Sequence, residues 1–242
     1  LFWMHCWERE QLWRLSKLKP SVSIIIPSLN EDALIDNLLN QLQLIRSGYV
    51  EIVVCDGGSI DNTSSKAKKL CDRFLVGQQG RAAQMNLGAQ NSENDWLWFL
   101  HVDSTLLETP NNFIETLTTN NMSWGFFQIR LNNPKWYFRI IEWFINKRSI
   151  VSKIGTGDQG IFIHRQLFDK IGGYADISLM EDVEICKRLK TIQPPIIPNK
   201  IIQTSARRWE QKGILQTIFL MWALRLGFFL NISPEKLAKF YK

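Results

Sequence analysis

Apolar and polar positions come in alternating blocks over residues 21–105. Val22-Ser-Ile-Ile-Ile-Pro27 is an apolar run closed by proline, Val50–Asp56 a second, Arg73–Val76 a brief third, and Trp96–Asp103 the most apolar. Between the first two, Leu34, Ile35, Leu38, Leu39, Leu42 and Ile45 recur at helical spacing behind Ser28-Leu-Asn-Glu-Asp32, which supplies capping residues. Asp61-Asn62-Thr63 and Gly80–Asn86 open two further helices. Strand and helix in alternation predict a doubly wound, mostly parallel sheet flanked by helices. Trp96-Leu-Trp-Phe-Leu100 reads as a strand buried on both faces, as in the middle of such a sheet. Asp103 then stands at the carboxyl end of that strand, where open α/β sheets bind ligands. An Asp-Ser-Thr sequence also suits a turn or a helix cap, so the position alone leaves both readings open.

The second half is less regular. Trp124–Arg130 reads as a strand, Pro134 to about Ile150 as an aromatic-rich helix, Gln159–Ile163 as a buried strand, and Arg165–Ile171 as a short helix ended by Gly172-Gly173. Glu181–Lys190 reads as a helix, and Ile196–Thr204, interrupted by Pro198, as an irregular or edge strand. From Gly213 to Leu230 the pattern is apolar on all sides, and Pro234 starts a last short helix. No repeat or linker divides residues 21–242, so they are expected to form one domain with C-terminal helices from about 211. Residues 1–20 mix Trp3, Trp7 and Trp13 with Arg9, Arg14 and Lys17, a pattern for an amphipathic or disordered lead-in.

Composition narrows the function classes. The net charge of +6 suits an anionic ligand or an anionic membrane surface. The basic residues are scattered and no nucleic-acid motif accompanies them, so nucleic acid is not expected as a partner. The four cysteines form no C-x-x-C pair, which argues against a zinc site or a disulfide framework and fits a reducing compartment. Glu8 and Glu10 interrupt the first twenty residues in a way a secretory leader does not. A cytoplasmic protein, at or near the inner face of the cell membrane, is the expectation.

Three acids, Glu31, Asp56 and Asp103, fall at strand ends or loops that a doubly wound sheet brings to one edge, and the pair Glu181-Asp182 heads a later helix. Carboxylate oxygens are hard ligands suited to Mg²⁺ or Mn²⁺. A metal of that kind neutralises a departing diphosphate. Each acid taken singly also reads as a cap or a surface charge.

The ordered set Ile24-Ile-Ile-Pro-Ser-Leu-Asn-Glu31, Asp56-Gly-Gly-Ser-Ile-Asp61, Phe99-Leu-His-Val-Asp103 and Met180-Glu-Asp-Val-Glu184 resembles glycosyltransferase family 2, of the GT-A fold, over about residues 21–210. Gly80–Asn86 and Gly157-Asp-Gln159 look like a bacterial and cyanobacterial-type subgroup of unknown substrate. The resemblance implies a Rossmann-like GT-A sheet and a metal-dependent, inverting, hexosyl-type transfer from a nucleotide-diphosphate sugar to an acceptor hydroxyl, lipid-linked or on a polysaccharide. It implies that Pro27, Asn30 and Glu31 lie along the nucleoside, that Asp56 contacts the base, and that Arg81 sits near the nucleotide. Asp103 matches the last acid of the family's D-x-D motif and would hold Mn²⁺ or Mg²⁺. His101 stands where the first acid of that motif usually is, and either donates to ribose or phosphate or is a structural histidine. Asp182, beside Glu181, would be the general base. Asp158 would touch donor or acceptor, and Arg207-Arg208-Trp209 resembles an acceptor- or diphosphate-binding loop, although it also reads as a surface patch.

Two rival functions stay open. A sugar-1-phosphate nucleotidyltransferase would want a Gly-rich basic loop after the first strand, and Pro27-Ser-Leu-Asn-Glu31 has neither feature. A non-catalytic, membrane-associated scaffold with a transferase-like fold has His101 as its hint. The run Ile214–Leu230 contains Gln216 and Arg225 and is too short to span a bilayer, which wants about 20 apolar residues. Packing on the sheet and peripheral membrane contact both fit it.

Overall fold

The computed structural model describes residues 21–46, 48–108, 113–114 and 123–241. The expected lead-in over residues 1–20 lies outside them. Strands β1 (Val22–Ser28), β2 (Val50–Asp56), β3 (Arg73–Val76) and β4 (Trp96–Phe99) are connected by helices α1 (Ile35–Leu42), α2 (Thr63–Leu70) and α3 (Arg81–Gln90). β2 and β4 flank β1 in parallel, and β3 extends the sheet beyond β2. The chain therefore winds to one side of β1 and returns on the other. Between the ends of β1 and β4 this leaves the crevice of a topological switch point.

The remaining elements are β5 (Thr105–Leu106), β6 (Trp124–Gly125), β7 (Gln128–Leu131), α4 (Trp136–Ser152), β8 (Phe162–His164), α5 (Arg165–Lys170), α6 (Glu181–Ile192), β9 (Ile201–Thr204), α7 (Arg207–Lys212), α8 (Ile214–Phe229) and α9 (Pro234–Tyr241). β8 joins β4 antiparallel, and β6 joins β8, completing the order β3-β2-β1-β4-β8-β6. The α/β sheet is thus mostly parallel, with its antiparallel part on the β4 side.

Strand alternation divides the core. Ile25, Val53, Leu97 and Phe99 face α3, α5 and α6; Ile24, Ile26, Val54, Trp96 and Trp98 face α1 and the phenylalanines Phe113 and Phe127. α1 buries Ile35, Leu38, Leu39 and Leu42 on one stripe, as its spacing predicts. Gly88 in α3 lets that helix approach the sheet: a Cβ there would stand 2.9 Å from Cys55 Sγ and also meet Ile25.

Three expectations need correction. Trp124–Arg130 is two strands in different sheets, because the chain turns through the buried Phe126 and Phe127. Ile196–Thr204 is no edge: its regular part, β9, is the central strand of a second sheet ordered β5-β9-β7. The Trp96 strand leaves the sheet after Phe99, and the chain turns so that the Ser104 amide donates to the His101 carbonyl at 3.0 Å.

α8 packs only partly. Among its sixteen residues Thr217, Leu224 and Gly227 are buried, whereas Phe219 and Trp222 are more than 70% exposed. Among the described residues no helix is long and apolar enough to cross a membrane.

Gly88→Val places branched carbon where Ile25 and Cys55 already pack. Overpacking of this kind should lower the unfolding free energy by about 3 kcal/mol, the upper end of its usual range. Urea denaturation checks it, and an unchanged midpoint would contradict the close approach.

Candidate active site

The crevice between β1 and β4 opens into a cleft of about 1380 Å³. That exceeds the roughly 300–1,000 Å³ of most small-ligand pockets. Five carboxylates and five arginines are among the described residues lining it. Pro27, Glu31, Arg81, His101 and Asp103 line one part; Asp158, Glu181, Asp182, Arg207, Arg208 and Trp209 line it as well. Eleven of the thirteen residues singled out from the sequence therefore share one cavity.

Asn30 and Asp56 do not line it. The Asp56 carboxylate is buried and accepts hydrogen bonds from the backbone amides of Gly58 (3.1 Å) and Ser59 (2.8 Å) and from the Ser28 hydroxyl (3.3 Å). Asn30, at φ +53°, receives the Ile60 amide on its side-chain oxygen at 3.0 Å. Both side chains brace the turn after β2 against the turn after β1. Gln84, buried in α3, completes this clamp by donating to the carbonyls of Ser28 (2.8 Å) and Cys55 (2.7 Å).

Asp103 sits half-buried beyond β4. One carboxylate oxygen accepts from the Thr204 hydroxyl at 3.4 Å. The other accepts no hydrogen bond from the described residues. Among those residues no group of three or more His, Cys, Asp or Glu side chains is arranged to hold a metal by itself. A single free carboxylate oxygen nonetheless fits the way Mg²⁺ is commonly held, by one or two carboxylates together with substrate phosphates and water.

His101 approaches the Gly157 backbone so closely that a Cβ on Gly157 would collide with its ring. The Gly157 amide in turn donates to Asp182 Oδ2 at 2.9 Å. The loop carrying Asp158 is thus clamped between the end of β4 and the head of α6. Gln159 holds it from behind, accepting from Ser149 Oγ at 2.8 Å and donating to the Phe127 carbonyl at 3.0 Å. Burial, reinforced by the Arg81 charge and opposed by Asp158 and Asp182, pushes the His101 pKa down to about 4. At neutral pH the imidazole is uncharged and carries one N–H donor and one acceptor.

At the head of α6, Met180 adopts φ +68°, a left-handed conformation uncommon for a side chain of this size. Such strain costs about 1–3 kcal/mol and persists only where the surroundings hold it. It delivers Glu181 and Asp182 into the cleft. Burial, then the Asp182 charge, raises the Glu181 pKa to about 7 against the opposing Arg81. Burial would depress Arg81, but the Tyr241 phenolate, charged in the alkaline range where an arginine titrates, and the acids Glu181, Asp182 and Asp103 outweigh it and hold its pKa above the ordinary value. Burial raises Glu31, with Arg207 opposing and Asp103 adding to the rise. Arg207-Arg208-Trp209 is the first turn of α7 rather than a loop. The Arg208 guanidinium lies 3.9 Å from the centre of the Tyr241 ring, a cation–π contact.

Arg148 and Arg225 also line the cleft, and sequence reasoning did not select them. A lone arginine inside an otherwise apolar helix was the available signal for Arg225.

A carboxylate-bearing switch-point crevice on a mostly parallel sheet defines a class: ligand-binding, doubly wound α/β folds. A model of the family described as Glycosyl transferase family 2 matches residues 23–175, and the chain belongs to that family. It is 31% identical over 168 residues to a PGL/p-HBAD biosynthesis glycosyltransferase of Mycobacterium tuberculosis, covering 64% of this chain and 63% of the relative. The chain thus spans less than two thirds of that curated relative's length. Among solved structures it resembles the mannosyltransferase PcManGT from Pyrobaculum calidifontis, determined with GDP-Man and Mn²⁺ (TM-score 0.61, 17% identity, 89% of this chain and 67% of that one). It also resembles residues 1–349 of Staphylococcus aureus TarS with UDP-GlcNAc (TM-score 0.59, 17% identity, 76% and 58%). At such identities these two similarities speak for the fold alone.

A proton NMR titration should show the His101 imidazole, assigned by its loss in His101→Gln, neutral down to about pH 4. Arg81→Gln removes a neighbouring positive charge and should move the midpoint upward. A midpoint at the ordinary value near 6.5 would mean that the ring is not enclosed as described.

Proposed function

We propose that this chain is a metal-dependent, inverting glycosyltransferase that moves a hexosyl group from a nucleotide-diphosphate sugar to an acceptor hydroxyl, lipid-linked or on a polysaccharide. The observation that carries the reading is the shared cleft: Asp103 at the end of β4 and the Glu181-Asp182 pair at the head of α6 line one cavity large enough for two substrates. The GDP-Man and Mn²⁺ bound by one structural neighbour, and the UDP-GlcNAc bound by another, support a donor of this class.

Pro27, Glu31 and Arg81 line the nucleotide end, with Asn30 and Asp56 holding the turns beside it. Arg81 and Arg207 supply positive charge for the diphosphate. Neutral His101 donates its N–H to a ribose hydroxyl or a phosphate oxygen. Asp103 would hold Mn²⁺ or Mg²⁺, which when bound supplies charge neutralisation for the departing diphosphate. On the acceptor side, Asp158 and Trp209 orient the hydroxyl. Its oxygen bonds to the anomeric carbon from the face opposite the diphosphate, the anomeric C–O bond to the diphosphate breaks, and the hydroxyl proton passes to the carboxylates heading α6. Asp182 is the base that the family motif selects. A helix N-terminus favours the carboxylate form and so weakens a base. Burial of Glu181 works the other way and holds a proton beside Asp182 up to about pH 7.

Calorimetric titration of UDP- and GDP-sugars with Mn²⁺ should detect donor binding, and Asp103→Asn should abolish its metal dependence. Asp182→Asn should lower turnover by about 10²–10⁴-fold, the usual contribution of a general base, while donor binding persists. Because loss of the Glu181 proton adds a negative charge beside the base Asp182, turnover should rise with pH through about 7, and Glu181→Gln should remove that limb. No nucleotide binding at millimolar concentration would defeat the proposal in favour of a scaffold role.

A further inference from the structure

The charges in the cleft overlap, with Arg81 feeling Asp103 as well as Glu181 and Asp182. Glu31 feels Arg207, Asp103 and Arg81, which form the donor end. Arg148, from α4, and Arg225, from α8, feel Asp158 and Asp182, at the acceptor end. Neither of these two arginines forms an ion pair with a carboxylate among the described residues. Arg148 donates from Nη2 to the Ser149 hydroxyl at 2.8 Å, but its buried Nε has no partner. Arg225 has no hydrogen bond among the described residues. Burial lowers the pKa of both, to about 10 for Arg148, where the Arg225 charge adds to the depression. Two half-buried guanidiniums facing one cavity without a direct ion pair present many unmet donors. Their planar forks match the oxygens of a phosphate.

The walls beside them are apolar. Phe144 of α4 and Trp222, Leu226 and Phe229 of α8 line the same cleft and continue onto exposed surface, with Trp222 at 73% exposure. α8 buries few of its apolar side chains against the rest of the chain. Apolar walls in the same cleft as two cations without ion pairs are complementary to an anionic head on a hydrocarbon chain.

We propose that Arg148 and Arg225 form the acceptor's anion subsite, and that the acceptor is a phosphorylated amphiphile whose hydrocarbon chain lies along the apolar faces of α4 and α8. This rests on the transfer reading above and names its acceptor class. The phosphate serves as a fixed handle that sets the acceptor hydroxyl beside Asp182.

The test measures binding to the full chain without any transfer reaction. Calorimetry compares n-dodecyl phosphate below its micellar concentration with inorganic phosphate and with neutral n-dodecyl glucoside. Dodecyl phosphate should bind saturably and at least about tenfold more tightly than either, the order expected for a charge-assisted hydrogen bond. Arg148→Gln and Arg225→Gln should each weaken it about tenfold, and Arg225→Lys should regain part of the loss, which a misfolded chain would not do. Equal binding of the neutral glucoside overturns the proposal and leaves the apolar face as a membrane or self-association surface. Equal binding of inorganic phosphate overturns the role of the apolar walls. A nucleotide titration on the same sample separates the two readings. Nucleotide binding without dodecyl phosphate binding sinks only the subsite. Arginine-dependent dodecyl phosphate binding without nucleotide binding upholds the anionic-amphiphile site and sinks only the transfer reading.

Discussion

The parallel pairing of β1 with β4, buried on both faces, is the constraint on which the site depends. Val22 lies opposite Trp96 and Ile25 opposite Phe99, so β4 ends level with Ile25 while β1 runs on to Ser28. Trp96 and Trp98 are almost completely enclosed. An aromatic side chain of that size removes about 150–250 Å² from water, worth on the order of 4–6 kcal/mol at 25 cal/mol per Å². A register slip would turn each tryptophan to the wrong face of the sheet. The pairing therefore fixes where Pro27 and Ser28 end one strand and where His101 to Asp103 leave the other. Everything polar in the cleft is referred to those two ends.

Glycine and amide geometry carry that reference across to the other half of the molecule. Gly157 has no side chain to separate its backbone from His101, and its N–H holds Asp182. The second sheet adds Thr204, which hydrogen-bonds Asp103 from β9. Acids from four separate parts of the chain thus meet arginines from four others in one cleft, where the charges shift one another. Glu181 illustrates the outcome: the helix terminus favours its ionised form, yet enclosure and Asp182 prevail and raise it.

α4 and α8 are less conventional. α4 buries Phe138 and Ile141 in a small separate core with Ile129 and Leu131 but leaves Trp143 and Phe144 exposed. α8 is apolar on nearly every side and still contributes little to the main core. Burial within the described residues does not account for these sequences. Phe144 of α4 and Phe219 and Trp222 of α8 line the cleft, so an apolar surface borders the polar site there.

The alternation of strand and helix patterns was sufficient to determine the α/β sheet, because the apolar period of each block matches the face it must bury. The same pattern placed Asp103 at a strand end, and the family motifs gathered most of the residues that line the cleft. Only the tertiary structure decided that Asp56 and Asn30 brace turns instead of facing the cavity, since hydrogen-bond partners come from Gly58, Ser59 and Ile60 in a geometry that spacing does not encode. The two-sheet course of Trp124–Leu131 likewise depends on partners distant in sequence, β8 and β9. Arg148 and Arg225 were legible only as charges on helices. That they converge from two helices on one cavity without forming an ion pair is a consequence of packing, which local sequence does not specify.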